Sequence, residues 1–247
     1  MRHVLALVLT LWPLTTRAED LTVFAAASLR EPFEELGLAL EKSTPGLIVR
    51  FNFAGSQELR AQIEHGAQAD VFASADRKHM AALEKLSLVA GPRIFARNQP
   101  VVVVPKGNPA SVRAFADLPK ARRLVIGAPE VPIGAYTLQI LDKAGADFKA
   151  RVLARVASKE LNVRQVLAKV TLGEADAGIV YRTDARSARD KVETVDIPAE
   201  QNVVAEYPIA VLRAATQVKA AQAFVDLVLS AEGQKRLAAA GFTAPGT

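Results

Sequence analysis

The chain has 247 residues, 50% hydrophobic and 23% charged, with a formal net charge of +5. That is apolar sequence enough for one or two domains with a real core, and a positive balance so mild and scattered excludes a nucleic-acid-binding surface. There is no cysteine, which excludes disulfides, thiol catalysis and cysteine-ligated zinc.

Met1 to Ala18 reads as a secretory signal: Arg2 at the positive start, an apolar stretch from Val4 to Leu14, and Thr16-Arg17-Ala18 as a small-residue cleavage site. Cleavage would start the mature protein at Glu19 and remove Trp12, the only tryptophan. No later run is apolar over the roughly 18 residues a membrane helix needs. An exported protein without disulfides suits a bacterial periplasm, where disulfides are permitted but not required.

Leu21 to Ala25 reads as a buried strand, followed by Ala26-Ala27-Ser28 and a helical pattern through Glu41. Ser28 and Glu31 have capping-box spacing, so Ser28 is expected to cap this helix. Leu47 to Phe53 is a second strand, Ala54-Gly55-Ser56 a turn, and Gln57 to His65 a helix. A third strand covers Asp70 to Ser74. A third helix covers Asp76 to Leu86, with Asp76 at its cap. Strand and helix in alternation predict a parallel sheet wrapped by helices.

Ile94 to Val104 is a long apolar stretch interrupted at Arg97 to Pro100. A second α/β unit follows: a strand at Leu124 to Gly127, a stiff loop from Ala128 to Gly134, a helix from Ala135 to Ala144, and a strand from Arg151 to Ala157. Asn162, with Gln165 three residues on, opens a helix to Leu172. Ala177 to Tyr181 and Val192 to Ile197 are strands flanking a short helix. Val203 to Leu212 mirrors the earlier long apolar stretch, and two helices, Gln217 to Leu229 and Ala231 to Ala240, close the chain. The expected fold class is α/β with two lobes: residues 19–100 plus 208–247 form the first and 101–207 the second, with hinges near 97–103 and 204–210.

Loops at the carboxyl edge of an open parallel sheet are where ligands bind. Ser28 and Ser56 fall there in the first lobe. Val131 to Gly134, the helix start at Asn162-Val163, and Tyr181 fall there in the second. Hydroxyls and helix-start amides suit a small anion held without salt bridges.

The chain resembles the periplasmic molybdate-binding proteins that serve ABC importers. The resemblance spans nearly the whole mature chain. It rests on Val23-Phe24-Ala25-Ala26-Ala27-Ser28-Leu29, on Gln62 to Ala67 followed by Ala69 to Asp76, on Pro129-Glu130-Val131-Pro132-Ile133-Gly134, on Gly178-Ile179-Val180-Tyr181, on Glu206-Tyr207-Pro208 and on Gly241-Phe242. It implies a two-lobed type II periplasmic-binding-protein fold whose cleft closes on a tetrahedral oxyanion, molybdate or tungstate. By motif, the contacts would be the hydroxyls of Ser28, Ser56 and Tyr181 and the backbone at Ile133 and Val163. The implied protein is a monomer without a cofactor, and its partner is a permease in the inner membrane. Two departures bear on selectivity: Ile133 stands where the family commonly has alanine, and the serine-rich turn of the family is here only Gly55-Ser56-Gln57.

The remaining candidates are read as structural. His65 and His79 are expected on surface helices, Asp70 and Asp76 as backbone braces, and Arg164 and Arg182 as solvated surface residues. No Gly-x-Ser-x-Gly elbow, phosphate loop or His-Glu-x-x-His is present, so no enzyme is expected. The alternatives are the same fold binding sulfate or thiosulfate, a sensory module, and, remotely, a serine-dependent hydrolase.

Overall fold

The computed structural model describes residues 19–246; the expected signal, Met1 to Ala18, lies outside the described residues. In chain order the first half runs β1 (Glu19–Ala26), a 3-10 turn (Ala27–Leu29), α1 (Arg30–Ser43), β2 (Leu47–Ala54), α2 (Ser56–Glu64), β3 (Val71–Ala73), α3 (Arg77–Lys85) and β4 (Val89–Asn98). The second half opens with β5 (Pro100–Pro105), then β6 (Leu124–Gly127), α4 (Pro132–Lys143), α5 (Ala146–Leu153), β7 (Val156–Glu160), α6 (Val163–Thr171), β8 (Ala177–Tyr181), α7 (Arg182–Ser187) and β9 (Val192–Val195). The chain returns through β10 (Ala205–Leu212) and ends in α8 (Val218–Leu229) and α9 (Ala231–Ala240).

Two five-stranded sheets result, ordered β2-β1-β3-β10-β4 and β7-β6-β8-β5-β9. In each, four strands run one way and a single strand, β10 or β5, runs against them. In each sheet the antiparallel strand beside the parallel set, β10 in one and β5 in the other, is the one that enters from the opposite lobe. The apolar stretch around Ile94 to Val104 is therefore two strands in two different sheets. Asn98 ends one, and Pro100, which has no N–H to donate, begins the other.

Two sequence expectations need correction. The segment expected as a strand from Arg151 is the end of α5, with an Asp147–Arg151 pair one turn apart at 3.0 Å; the strand starts at Val156. Short apolar runs do not separate helix from strand by period alone. The expected loop through Gly134 is also shorter, because Pro132 is already the first residue of α4. There its fixed φ suits the helix and its missing N–H costs nothing. The helix starts at Asp76 and Asn162 form as expected; their side chains accept the N–H of His79 and of Arg164 and Gln165, and Ser230 caps α9 by accepting from Gly233.

The inner parallel strands β1, β3, β6 and β8 are almost continuously buried, as sheets covered on both faces require, while the edge strands β2 and β7 are not. Under the first sheet Phe33 packs against Phe95 and Phe224 with ring centroids 5.7 and 5.4 Å apart. Each such fully buried ring contributes about 2–3 kcal/mol. Asp70, only 3% exposed, ties the sheet to the helix that follows β10. Its carboxylate accepts from the backbone N–H of Thr22, Thr216 and Gln217.

The start of α4 is pressed against the end of β6. A Cβ on Gly134 would lie 1.9 Å from the Ala128 carbonyl oxygen and 2.5 Å from that of Gly127, both backbone atoms. Gly134→Ala is therefore expected to destabilise the protein by about 1–3 kcal/mol. Its thermal midpoint should fall by several degrees. An unchanged midpoint would show that this approach is not as close as described.

Candidate functional site

Each lobe turns the carboxyl edge of its parallel strands toward the other. From the first lobe come Ser28 after β1, Ser56 after β2 and Ala75 after β3; from the second come Ile133 after β6, Val163 after β7 and Tyr181 at the end of β8. All six line one small cavity of about 10 Å³, room for about one water-sized sphere. The five residues singled out in the sequence are thus brought together, although Ser28 and Tyr181 are 153 positions apart (181 − 28). No side chain lining this cavity is charged.

All three hydroxyl side chains are buried. Ser56, 1% exposed, opens α2, and its Oγ accepts the N–H of Ala75 at 3.0 Å. Its own proton is left to point elsewhere. Tyr181, 1% exposed, has an Oη buried without a hydrogen-bond partner among the described residues. Burial, with the nearby Tyr207 and Tyr136 hydroxyls adding to it, pushes the Tyr181 phenol well above its ordinary pKa, so it stays a neutral donor. Ser28 is not the helix cap its spacing suggested. It sits inside the 3-10 turn before α1, and its Oγ lies 3.1 Å from the Tyr207 hydroxyl. A serine cap needs its oxygen over the first-turn amides, and here that oxygen is turned to β10 instead.

Backbone donors complete the wall. The first-turn N–H groups of a helix have no carbonyl within their own helix. Ile133 and Val163 occupy those positions in α4 and α6. The Asn162 side chain accepts from Arg164 and Gln165, the two amides that follow Val163. With the N-termini of α2, α4 and α6 at one small space, the local potential favours an anion.

Three contacts hold the lobes together around this space. Gln57 Nε2 donates to the Leu161 carbonyl at 2.7 Å, an approach that Gly55 permits, since a Cβ there would lie 2.4 Å from the same oxygen. His79 Nε2 lies 2.9 Å from the Glu130 carbonyl oxygen. Arg164 reaches Glu31 through two nitrogens at 2.8 and 2.5 Å and the buried Asp184 at 2.8 Å. His79 and Arg164 correct the sequence reading. His79 is buried at 2% exposure on the inner face of α3, not on the surface. Arg164 bridges the lobes rather than sitting solvated, while Arg182 pairs with Asp196 at the exterior. Their partners lie 51 and 133 residues away, beyond any local pattern.

A pocket lined by hydroxyls and helix-start amides between two α/β lobes, crossed twice by the chain, defines a two-lobed solute-binding protein of the periplasmic type. The chain belongs to the family of bacterial extracellular solute-binding proteins, whose model matches residues 21–243. It is 43% identical over 233 residues to the molybdate-binding protein ModA of Mycobacterium tuberculosis, covering 94% of this chain and 87% of the relative. To ModA of Escherichia coli it is 34% identical, covering 90% and 88%. Among solved structures, the periplasmic molybdate-binding protein of Azotobacter vinelandii shares the fold with a TM-score of 0.78 at 22% identity, covering 92% and 100%. The sulfate-binding protein SubI of M. tuberculosis shares it with a TM-score of 0.83 at 22% identity, covering 92% and 87%. These relatives are solute-binding proteins rather than enzymes.

The Asp184 carboxyl is pushed up to about 6 by burial and, to a lesser degree, by Glu31, with Arg164 pulling the other way. Its folded value exceeds the unfolded one near 3.9. Its contribution to stability is therefore full below about pH 4 and lost as pH rises through about 6. Unfolding titrations of the native protein and Asp184→Asn from pH 4 to 7 should show the native protein's relative stability falling by about 3 kcal/mol as pH rises. A pH-independent difference would contradict this.

Proposed function

We propose that the protein captures molybdate, and tungstate with it, between its two lobes and delivers the anion to an ABC-type importer. On this reading it is exported, works as a monomer in the periplasm and docks its closed form on an inner-membrane permease. The observation that carries the proposal is an uncharged polar wall: the buried hydroxyls of Ser28, of Ser56, whose oxygen already accepts from Ala75, and of Tyr181, which has no partner among the described residues, beside helix-start amides, with no carboxylate on the cavity lining. The similarity to molybdate-binding proteins supports the choice of anion.

A dianion leaving water must recover its hydrogen bonds, and neutral donors can supply them without a countercharge. A fully ionised tetrahedral oxyanion has only acceptors, so it suits such a wall. Hydrogen phosphate carries a proton that would find no acceptor there. Sulfate is smaller, and a rigid cage set for a larger tetrahedron would leave its donors long or unpaired. The small cavity also disfavours an organic solute. Ser28, Ser56 and Tyr181 are the hydroxyl donors and Ile133 and Val163 the backbone donors. Because they come from both lobes, the full set of bonds exists only in the closed form, and that difference in affinity drives closure.

Calorimetric titration of the mature protein with molybdate, tungstate, sulfate and phosphate tests the reading. Molybdate and tungstate should bind, with sulfate weaker by about 100-fold or more and phosphate giving no heat. Tight sulfate binding without molybdate heat would overturn it. In the same assay Tyr181→Phe should weaken molybdate by roughly 1–3 kcal/mol, the cost of one donor to a charged acceptor. Unchanged affinity would remove Tyr181 from the site.

A further inference from the structure

Tyr207 lies outside the cavity wall and makes no claim on the anion, yet it is fully buried, and its hydroxyl is 3.1 Å from Ser28 Oγ across 179 residues of sequence. Behind it stands Asn98, 3% exposed, the last residue of β4 before the chain crosses to the second lobe. The Asn98 amide is oriented by its own bonds. Its Oδ1 accepts the N–H of Gln99 at 2.9 Å, and its Nδ2 donates to Thr183 Oγ1 in the second lobe at 2.8 Å. Asn98 is thus engaged elsewhere, and among the described residues the Tyr207 hydroxyl has Ser28 Oγ as its hydrogen-bond partner. The Tyr207 proton therefore has Ser28 Oγ as its acceptor, whereas the Ser28 proton has the cavity to point into.

We infer that Tyr207 is a positioning residue that commits Ser28 to act as a donor. Tyr207 O–H donates to Ser28 Oγ, and the Ser28 proton is left for the cavity. A serine hydroxyl rotates freely and can accept as easily as donate. With its oxygen already accepting from Tyr207, Ser28 cannot serve a ligand proton as readily as it serves a ligand oxygen. Ser56 is committed in the same sense by the Ala75 N–H. Burial keeps Tyr207 neutral, its phenol held well above the ordinary range. Preference for an unprotonated oxyanion is thus set partly one layer behind the wall, on β10, the strand that returns to the first lobe.

This inference rests on the proposed anion-binding function, and a double-mutant cycle separates the two. Molybdate affinity is measured for the native protein, Tyr207→Phe, Ser28→Ala and the double variant. Tyr207→Phe keeps the ring and its edge contacts with Phe95, Tyr181 and Phe242, so the core packing survives. It should weaken molybdate about tenfold, the scale of one oriented hydrogen bond to a charged ligand. In the Ser28→Ala background the same change should cost less than about twofold, because there is no hydroxyl left to orient. Tyr207→Phe should also narrow the molybdate-to-phosphate preference, since its Ser28 can turn and accept. Equal losses in both backgrounds, or no loss in Tyr207→Phe, would overturn the inference and leave Tyr207 a packing residue. A native protein that binds no molybdate would overturn the functional reading instead.

Discussion

On the proposed function, the constraint on which the structure depends is the cost of taking a charged anion out of water without giving it a countercharge. That cost is recovered only if every oxygen meets a directed donor. Donors on one surface can face only one side of a tetrahedron. Two α/β lobes solve this by turning the carboxyl edges of two parallel strand sets toward each other. At those edges the chain passes from strand to helix, so serine hydroxyls and unsatisfied amides collect there as a consequence of the topology. The alanines before Ser28 and Gly55 before Ser56 keep the turns slim, and Gly134 lets the start of α4 close on the end of β6.

Closure and binding are coupled through neighbouring positions in the chain. Glu31 lies three residues after Ser28, and Arg164 directly follows Val163, so the ion pair that spans the lobes is built from the same two helix starts that line the cavity. Asp184, buried behind Arg164, holds the guanidinium from its own lobe while Glu31 engages it from the other. An exposed pair would contribute little. This one is partly buried, and its geometry is set from both sides. His79 and Gln57 add hydrogen bonds to the backbone of the second lobe near the same rim.

Much of this was legible in the sequence because it is local. Strand-to-helix handovers at Ser28, Ser56 and Tyr181 follow from apolar runs meeting helical periodicity, and the helix starts at Asp76 and Asn162 follow from side-chain chemistry one turn long. What was hidden depends on partners far along the chain. Ser28 has the spacing of a cap, yet a tyrosine on β10 takes its oxygen. His79 looks like a polar residue on an amphipathic helix until the Glu130 carbonyl meets it from the other lobe. Tyr207 was visible within a motif, but its reach to Ser28 was not. The same limit hid the handover at Asn98 and Pro100, where one apolar stretch divides between two sheets.

The central claim is that one tetrahedral oxyanion sits between the lobes, held by donors from both and by no charged side chain. A crystal structure of the mature protein with molybdate, phased at the molybdenum absorption edge, tests it most directly. The account predicts a single anomalous peak in the cleft, with ligand oxygens at hydrogen-bond distance from the Ser28, Ser56 and Tyr181 hydroxyls and the Ile133 and Val163 amides. A peak held by arginine or lysine side chains at another surface, with nothing between these residues, would contradict it.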